Sequence, residues 1–160
     1  MTKTPIFKGS CTAIVTPFCK NGIDFERFGK LMDFQYDNGT NALVVCGTTG
    51  ENATMSAYEH EELVDFACKH NNGRMKIIVG VGSNNTETAL KKAKSAKHFG
   101  ADGILMVTPY YNKTSQSGLY EHFTYVADRV DIPMVLYNVP SRTGIGISAD
   151  TYERLSKHPN

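Results

Sequence analysis

The chain has 160 residues, of which 41% are hydrophobic and 21% charged, and its formal net charge is +1. This composition is typical of a globular domain and offers no basic face or polybasic run for a nucleic acid or a membrane surface. No apolar run approaches the roughly 18 residues of a membrane span, and the N-terminus lacks the apolar core of a secretory signal. The four cysteines form no C-x-x-C pair. We therefore expect a cytoplasmic protein with reduced thiols that binds neither nucleic acid nor membrane.

Five apolar segments predict β-strands. They are 11–15, 42–46, 76–81, 103–107 and 133–137. Their starts lie 31, 34, 27 and 30 residues apart. Because each segment is apolar throughout rather than alternating, both of its faces should be covered, as in a parallel sheet.

A helix is predicted after each strand from capping residues and from apolar residues at helical spacing. The signals are Asp24 and Gly39 for the first helix, the Ser56–Glu59 capping box and Asn71 for the second, Thr86 and Gly100 for the third, the apolar face Leu119, Phe123, Val126 and Ala127 for the fourth, and Ser148 for the last.

This alternation predicts an α/β fold, which could be a doubly wound sheet or a βα-barrel. A dinucleotide-binding sheet would need G-x-G-x-x-G after its first strand, where Thr16-Pro17-Phe18 stands. The sequence therefore favours a (β/α)8 TIM barrel. Such a barrel takes about 250 residues, so residues 1–160 should be the N-terminal part of one barrel domain, about its first five βα units. We expect the chain to be truncated by about three units.

Polar side chains follow the predicted strands at the ends that carry the chemistry in βα-barrels. They are Thr48, Thr49, Asn84, Tyr110, Tyr111, Tyr137 and Arg142. The Gly47–Gly50 loop offers two hydroxyls and free backbone N–H groups, which can hold a small carboxylate. Taken alone, this loop is better interpreted as a plain strand-to-helix turn, and what favours a site is that polar residues recur at the same end of successive strands.

The histidines suggest no metal site. All five fall on predicted helices, where most should face solvent. His60 lacks the second histidine of a zinc helix motif, because Val64 stands at that position. We therefore expect no metal and no cofactor.

Three segments together resemble the dihydrodipicolinate synthase family of the N-acetylneuraminate lyase superfamily. They are Gly47–Glu51, Tyr110–Lys113 and Tyr137–Gly144, and Ala13–Phe18 is also similar, so the resemblance runs along the whole chain. Gly-Thr-Thr-Gly-Glu marks only the superfamily. The Ser-Arg-Thr-Gly that follows Tyr-Asn-Val-Pro is more specific, because its arginine suits an acidic aldehyde.

The resemblance implies a lyase of lysine and diaminopimelate biosynthesis. Such a lyase condenses pyruvate with L-aspartate 4-semialdehyde through a lysine Schiff base, giving 4-hydroxy-tetrahydrodipicolinate. Tyr137, Thr48 and Tyr111 would form the catalytic proton relay. Thr49 would hold the pyruvate carboxylate, and Arg142 the carboxylate of the second substrate. The family also implies a homo-oligomer, commonly a tetramer of paired dimers, in which Tyr111 reaches into a neighbouring subunit's site.

Two departures from the family pattern matter. First, the family's Schiff-base lysine lies on the strand after Tyr137, which this chain does not reach, so the 160-residue chain alone should be inactive. Second, the resemblance places a possible allosteric lysine site at Asn52, Ala53, Ala57, His60, Asn84, Thr88 and Tyr110. Thr88 stands where lysine-inhibited members often carry glutamate, and Ala57 where they often carry histidine. The missing acid argues against feedback inhibition.

Two alternatives stay open on the sequence. The chain could belong to another pyruvate-dependent class I aldolase, such as N-acetylneuraminate lyase. It could also be a non-catalytic half-barrel that binds a partner, in which the first and fifth strands would be exposed edges.

Overall fold

The computed structural model describes residues 4–160, in which strands and helices alternate. The strands are β1 (Cys11–Ala13), β2 (Phe18–Cys19), β3 (Gly22–Ile23), β4 (Ala42–Val45), β5 (Lys76–Gly80), β6 (Gly103–Val107) and β7 (Met134–Tyr137). The helices are α1 (Phe25–Asp37), α2 (Ala57–Asn71), α3 (Thr86–His98), α4 (Gln116–Ala127), α5 (Pro140–Thr143) and α6 (Ala149–Ser156), with a 3-10 turn at Asn52–Thr54. None of these helices is both long and apolar enough to cross a membrane.

Five strands form one parallel sheet in the order β1-β4-β5-β6-β7, which is also their order along the chain. Each crossover therefore moves to the next strand in the same direction. A doubly wound sheet would reverse direction partway, whereas a βα-barrel advances in this way. The α/β prediction is confirmed, and the strand order is that of the predicted barrel.

The predicted helix starts are confirmed by their caps. At α2 the Glu59 backbone N–H donates to Ser56 Oγ at 3.2 Å, and the Ser56 N–H donates to Glu59 Oε2 at 2.8 Å. Asp24 and Ser148 accept equivalent backbone hydrogen bonds at α1 and α6. Each cap satisfies a backbone donor that the first helical turn leaves free.

Helix faces predicted to be apolar pack against the sheet. They include Ala89, Leu90, Ala93 and Ala96 of α3, and Leu119, Phe123, Val126 and Ala127 of α4, all of which are buried. Phe28 and Met32 of α1 are fully buried in the same core. The interior therefore follows from the helical period of the sequence.

Three short elements were not predicted: the antiparallel β2–β3 hairpin, the 3-10 turn and α5. The first strand is also shorter than expected, because it ends at Ala13, and Val15 is 49% exposed. Two-residue strands and single helical turns carry too few residues to show a period.

The expectation that most histidines face solvent is wrong, because only His98 is exposed. His60 is 1% exposed, and its Nε2 lies 2.9 Å from the Gly80 carbonyl oxygen. His122 is 6% exposed, and its Nδ1 lies 2.8 Å from Thr86 Oγ1. Burial lowers the pKa of both histidines to about 4. Both side chains are therefore neutral in the folded protein at pH 7.

These buried histidines predict a loss of stability in mild acid. An unfolded histidine has a pKa of about 6.5, so between that pH and pH 4 the unfolded chain binds more protons than the folded one. The free energy of unfolding should thus fall by about 2 kcal/mol per buried histidine from pH 7.5 to pH 5. Urea denaturation at the two pH values measures this loss. His122→Gln should remove about half of it, and the exposed control His98→Gln none. An equal pH dependence in both variants would contradict the assignment.

Candidate active site

The glycine-containing loop after β4 exposes two hydroxyls at its tip. The Thr48 and Thr49 side chains are exposed, whereas Gly50 is buried beneath them. The Gly50 N–H donates to the Gly47 carbonyl at 3.1 Å, and Thr16 Oγ1 donates to the Gly50 carbonyl at 2.9 Å. The loop is therefore fixed from below by a residue that follows β1.

Gly80, at the end of β5, permits a close approach of two chain segments. A Cβ atom at this position would lie 1.9 Å from the Cys46 carbonyl oxygen. Cys46 itself adopts a left-handed φ of 56°, which is uncommon for a residue other than glycine. Because Gly80 has no side chain, the backbone of Cys46, the residue that follows β4, can lie directly against the end of β5.

The segment after β7 orients an arginine toward the same side. Pro140 begins α5, where its fixed φ is favourable, and Gly144 ends this helix with a left-handed φ of 70°. Thr143 Oγ1 donates to the Ile145 carbonyl at 2.8 Å and anchors the far end of the turn. The loop predicted around Arg142 is thus one helical turn.

These segments enclose one cavity of about 360 Å³. Thr48, Tyr110, Tyr137 and Arg142 all line it. Within residues 4–160 the Thr48 and Tyr137 hydroxyls make no hydrogen bond to each other, and the Arg142 guanidinium makes neither a hydrogen bond nor an ion pair. All three polar groups are therefore able to contact a molecule in the cavity.

The structure does not bring every predicted residue to this cavity. Thr49 and Tyr111 are not part of its lining. Tyr111 has a left-handed φ of 69°, and its side chain is 91% exposed. Its neighbour Asn112 donates from Nδ2 to the Asn84 carbonyl at 3.1 Å, linking the loops after β6 and β5.

Only some residues of the predicted allosteric lysine site line the cavity. Asn52, Ala53 and Tyr110 line the cavity, whereas His60 and Asn84 do not. His60 Nε2 lies 2.9 Å from the Gly80 carbonyl oxygen, which also accepts a 3.3 Å hydrogen bond from Asn52 Nδ2.

Lys92 is a cavity residue that sequence reasoning missed. It lies on α3, and its Nζ donates to Asn52 Oδ1 at 2.7 Å. Burial lowers the pKa of this ammonium. The buried Cys46 thiol lies nearby, and burial raises its pKa to about 12. The signal in the sequence was the helical spacing, since Lys92 falls between Ala89 and Ala96 on the apolar face of α3.

The fold and the cavity define a class of protein: a βα-barrel protein whose phenol, hydroxyl and guanidinium groups meet at the carboxyl ends of the strands. A model of the dihydrodipicolinate synthetase family matches residues 6–160. The chain belongs to this family.

Individual relatives agree with this assignment. The chain is 52% identical over 157 residues to the 4-hydroxy-tetrahydrodipicolinate synthase of Caldicellulosiruptor saccharolyticus, and the match covers 98% of this chain and 53% of that protein. It is similar to the crystal structure of dihydrodipicolinate synthase from Aquifex aeolicus, with 51% identity, a TM-score of 0.92, and coverage of 94% of this chain and 51% of that one. The chain is also similar to the crystal structure of the Acinetobacter baumannii dihydrodipicolinate synthase complexed with pyruvate. The identity is 46% and the TM-score 0.93, and the match covers 95% of this chain and 52% of that one. The chain thus spans about half the length of these relatives.

The close approach at Gly80 yields a prediction about stability. Gly80→Ala would place a methyl group against the Cys46 carbonyl, and we expect it to lower the free energy of unfolding by about 3 kcal/mol. Chemical denaturation measures the loss. Gly146→Ala is the matched control, because its nearest atom is a side-chain carbon of Pro140 at 3.3 Å. It should cost less than about 1 kcal/mol. Similar losses in both variants would show that the close approach is not the cause.

Proposed function

We propose that this chain supplies the first five βα units of a (β/α)8 lyase that condenses pyruvate with L-aspartate 4-semialdehyde through a lysine Schiff base. The product would be 4-hydroxy-tetrahydrodipicolinate, in lysine and diaminopimelate biosynthesis. The observation that carries the proposal is one cavity lined by Thr48, Tyr137 and Arg142. About 50% identity to synthases of this name, over nearly the whole chain, supports the choice of reaction.

The cavity residues suit the steps of such a condensation. Tyr137 is the general acid and base, and Thr48 passes its proton. Arg142 binds the carboxylate of the aldehyde substrate, because a planar guanidinium can hold both carboxylate oxygens. Its guanidinium has no carboxylate partner within residues 4–160, so it is available for this contact.

The remaining predicted roles involve residues outside the cavity. Thr49 holds the pyruvate carboxylate together with the N–H groups of its loop. Tyr111 completes the proton relay in the site of a neighbouring copy, so the working protein is a homo-oligomer, a tetramer of paired dimers. The 91% exposure of the Tyr111 side chain supports a role outside its own subunit.

A chimera tests the reaction directly. In it, this chain replaces the corresponding half of the A. aeolicus synthase, whose other half should contain the Schiff-base lysine. We expect pyruvate-dependent consumption of aspartate semialdehyde and no cleavage of N-acetylneuraminate. Tyr137→Phe should lower kcat about 100-fold or more. Arg142→Gln should raise KM for the aldehyde about 10-fold or more while leaving KM for pyruvate within about twofold.

The matched control for the arginine is Arg154→Gln, because Arg154 stacks on Tyr120 away from the cavity. It should leave both KM values unchanged. A folded chimera that cleaves N-acetylneuraminate instead would favour the other aldolase of the superfamily. Equal effects of the Arg142 and Arg154 substitutions would contradict the role given to Arg142.

The chain alone should not form the covalent intermediate. Mass spectrometry after incubation with pyruvate and borohydride should therefore find no pyruvyl adduct on its lysines. Lys92 is the lysine to examine in this experiment, because it lines the cavity and burial lowers the pKa of its ammonium. Lys92→Met is the control that removes this amine. An adduct in the unmodified chain that is absent from Lys92→Met would overturn the prediction and identify Lys92 as the reactive lysine.

A further inference from the structure

We propose that Lys92 and Asn52 form a subsite for small carboxylates on the α3 side of the cavity, separate from Arg142. The subsite does not depend on the proposed condensation, since it requires only that an anion reach the Lys92 ammonium. Its ligand is a compact mono- or dicarboxylate of a few carbon atoms, which a cavity of about 360 Å³ can hold.

Lys92 differs from the other lysines of its helix. Lys91, Lys94 and Lys97 are exposed, and none of them lines the cavity. Lys92 is half-buried and lines the cavity, and its ammonium donates to Asn52, another lining residue. Lysine side chains commonly bury their methylene groups in this way while keeping the charge accessible.

The charge of Lys92 is not compensated by the protein. Within residues 4–160 it forms no ion pair, and its hydrogen-bond partner is the neutral Asn52 amide. An ammonium has three donors, so the bond to Asn52 leaves two for a ligand. The neighbouring Cys46 is a neutral thiol, because burial raises its pKa to about 12. A partly desolvated cation without a carboxylate partner is stabilised by a bound anion.

Asn52 gives the ammonium a fixed position. The amide donates from Nδ2 to the Gly80 carbonyl at 3.3 Å, which turns Oδ1 toward Lys92. The same residue begins the 3-10 turn, so its backbone is held as well. The cavity lining as a whole carries two cations, Lys92 and Arg142, against one carboxylate, Glu51. This excess of positive charge favours anionic ligands over cationic ones.

The test uses the 160-residue chain and malonate as the probe. Titration at constant ionic strength and pH 7 is followed by NMR, through the Asn52 side-chain amide and the Lys92 ε-methylene signals. Malonate should shift both signals and saturate with a millimolar Kd, whereas neutral malonamide should shift neither. No saturable shift with malonate, or equal shifts with malonamide, would overturn the proposal.

Three variants test whether the anion binds at Lys92. Lys92→Met should weaken malonate binding at least 10-fold, and the matched control Lys91→Met should bind like the unmodified chain. Asn52→Asp keeps the lysine but places a carboxylate beside it, and should weaken binding to a similar extent. If Lys92→Met is poorly folded, the affinity of Asn52→Asp for malonate still tests the subsite. Equal affinity in Lys92→Met and Lys91→Met would overturn the subsite.

Arg142→Gln separates this subsite from the proposed substrate site. We expect this variant to retain malonate binding. Loss of binding in Arg142→Gln but not in Lys92→Met would assign the anion to the substrate site, overturning the subsite and leaving the proposed function intact. Loss in both variants would indicate a single dianion bridging the two cations, which also contradicts a separate subsite.

Discussion

Parallel pairing of five strands in chain order is the constraint on which the cavity depends. Strand partners such as Val45 with Val79 and Val107 with Tyr137 lie side by side near the carboxyl ends of their strands. In a parallel sheet these ends meet at one edge. Residues far apart in the chain, such as Thr48 and Arg142, are therefore brought to one cavity without any direct contact between them.

The loops at this edge carry most of the backbone strain. Within residues 4–160, five residues other than glycine have a positive φ, and four of them lie in these loops: Cys46, Glu51, Tyr111 and Lys113. Such conformations persist only when the surroundings impose them. Here the strain is held by hydrogen bonds between successive loops, from Thr16 to Gly50, from Asn52 to Gly80 and from Asn112 to Asn84. The segments that follow β1, β4, β5 and β6 are thus linked to one another in succession.

The sequence was sufficient to predict the elements that depend on local apolar periodicity and on helix-capping residues. The five strands and their following helices have clear apolar patterns, and Ser56 with Glu59 marks a helix start unambiguously. Thr48, Tyr137 and Arg142 could be grouped because strand ends in this fold share an edge.

Features that depend on tertiary packing could not be predicted in the same way. The left-handed φ of Tyr111, which accompanies a 91% exposed side chain, has no signal in its own sequence. His60 lies on the buried face of α2 with Leu63 and Val64, but its hydrogen-bond partner, the Gly80 carbonyl, is 20 residues away and has no local signal. Lys92 was missed because a lysine on a helix is ordinarily exposed, although its position among alanines gave a usable signal.

The two cations of the cavity have different physical settings, and this difference bears on their chemistry. Arg142 lies on a one-turn helix, is exposed, and contacts no carboxylate within residues 4–160. Lys92 lies on a long helix, is half-buried, and is oriented by Asn52. Partial burial weakens solvent screening around Lys92, so an anion there gains more from each contact than at an exposed cation. The two cations of this edge therefore differ in burial, in orientation and in solvent screening, although both line one cavity.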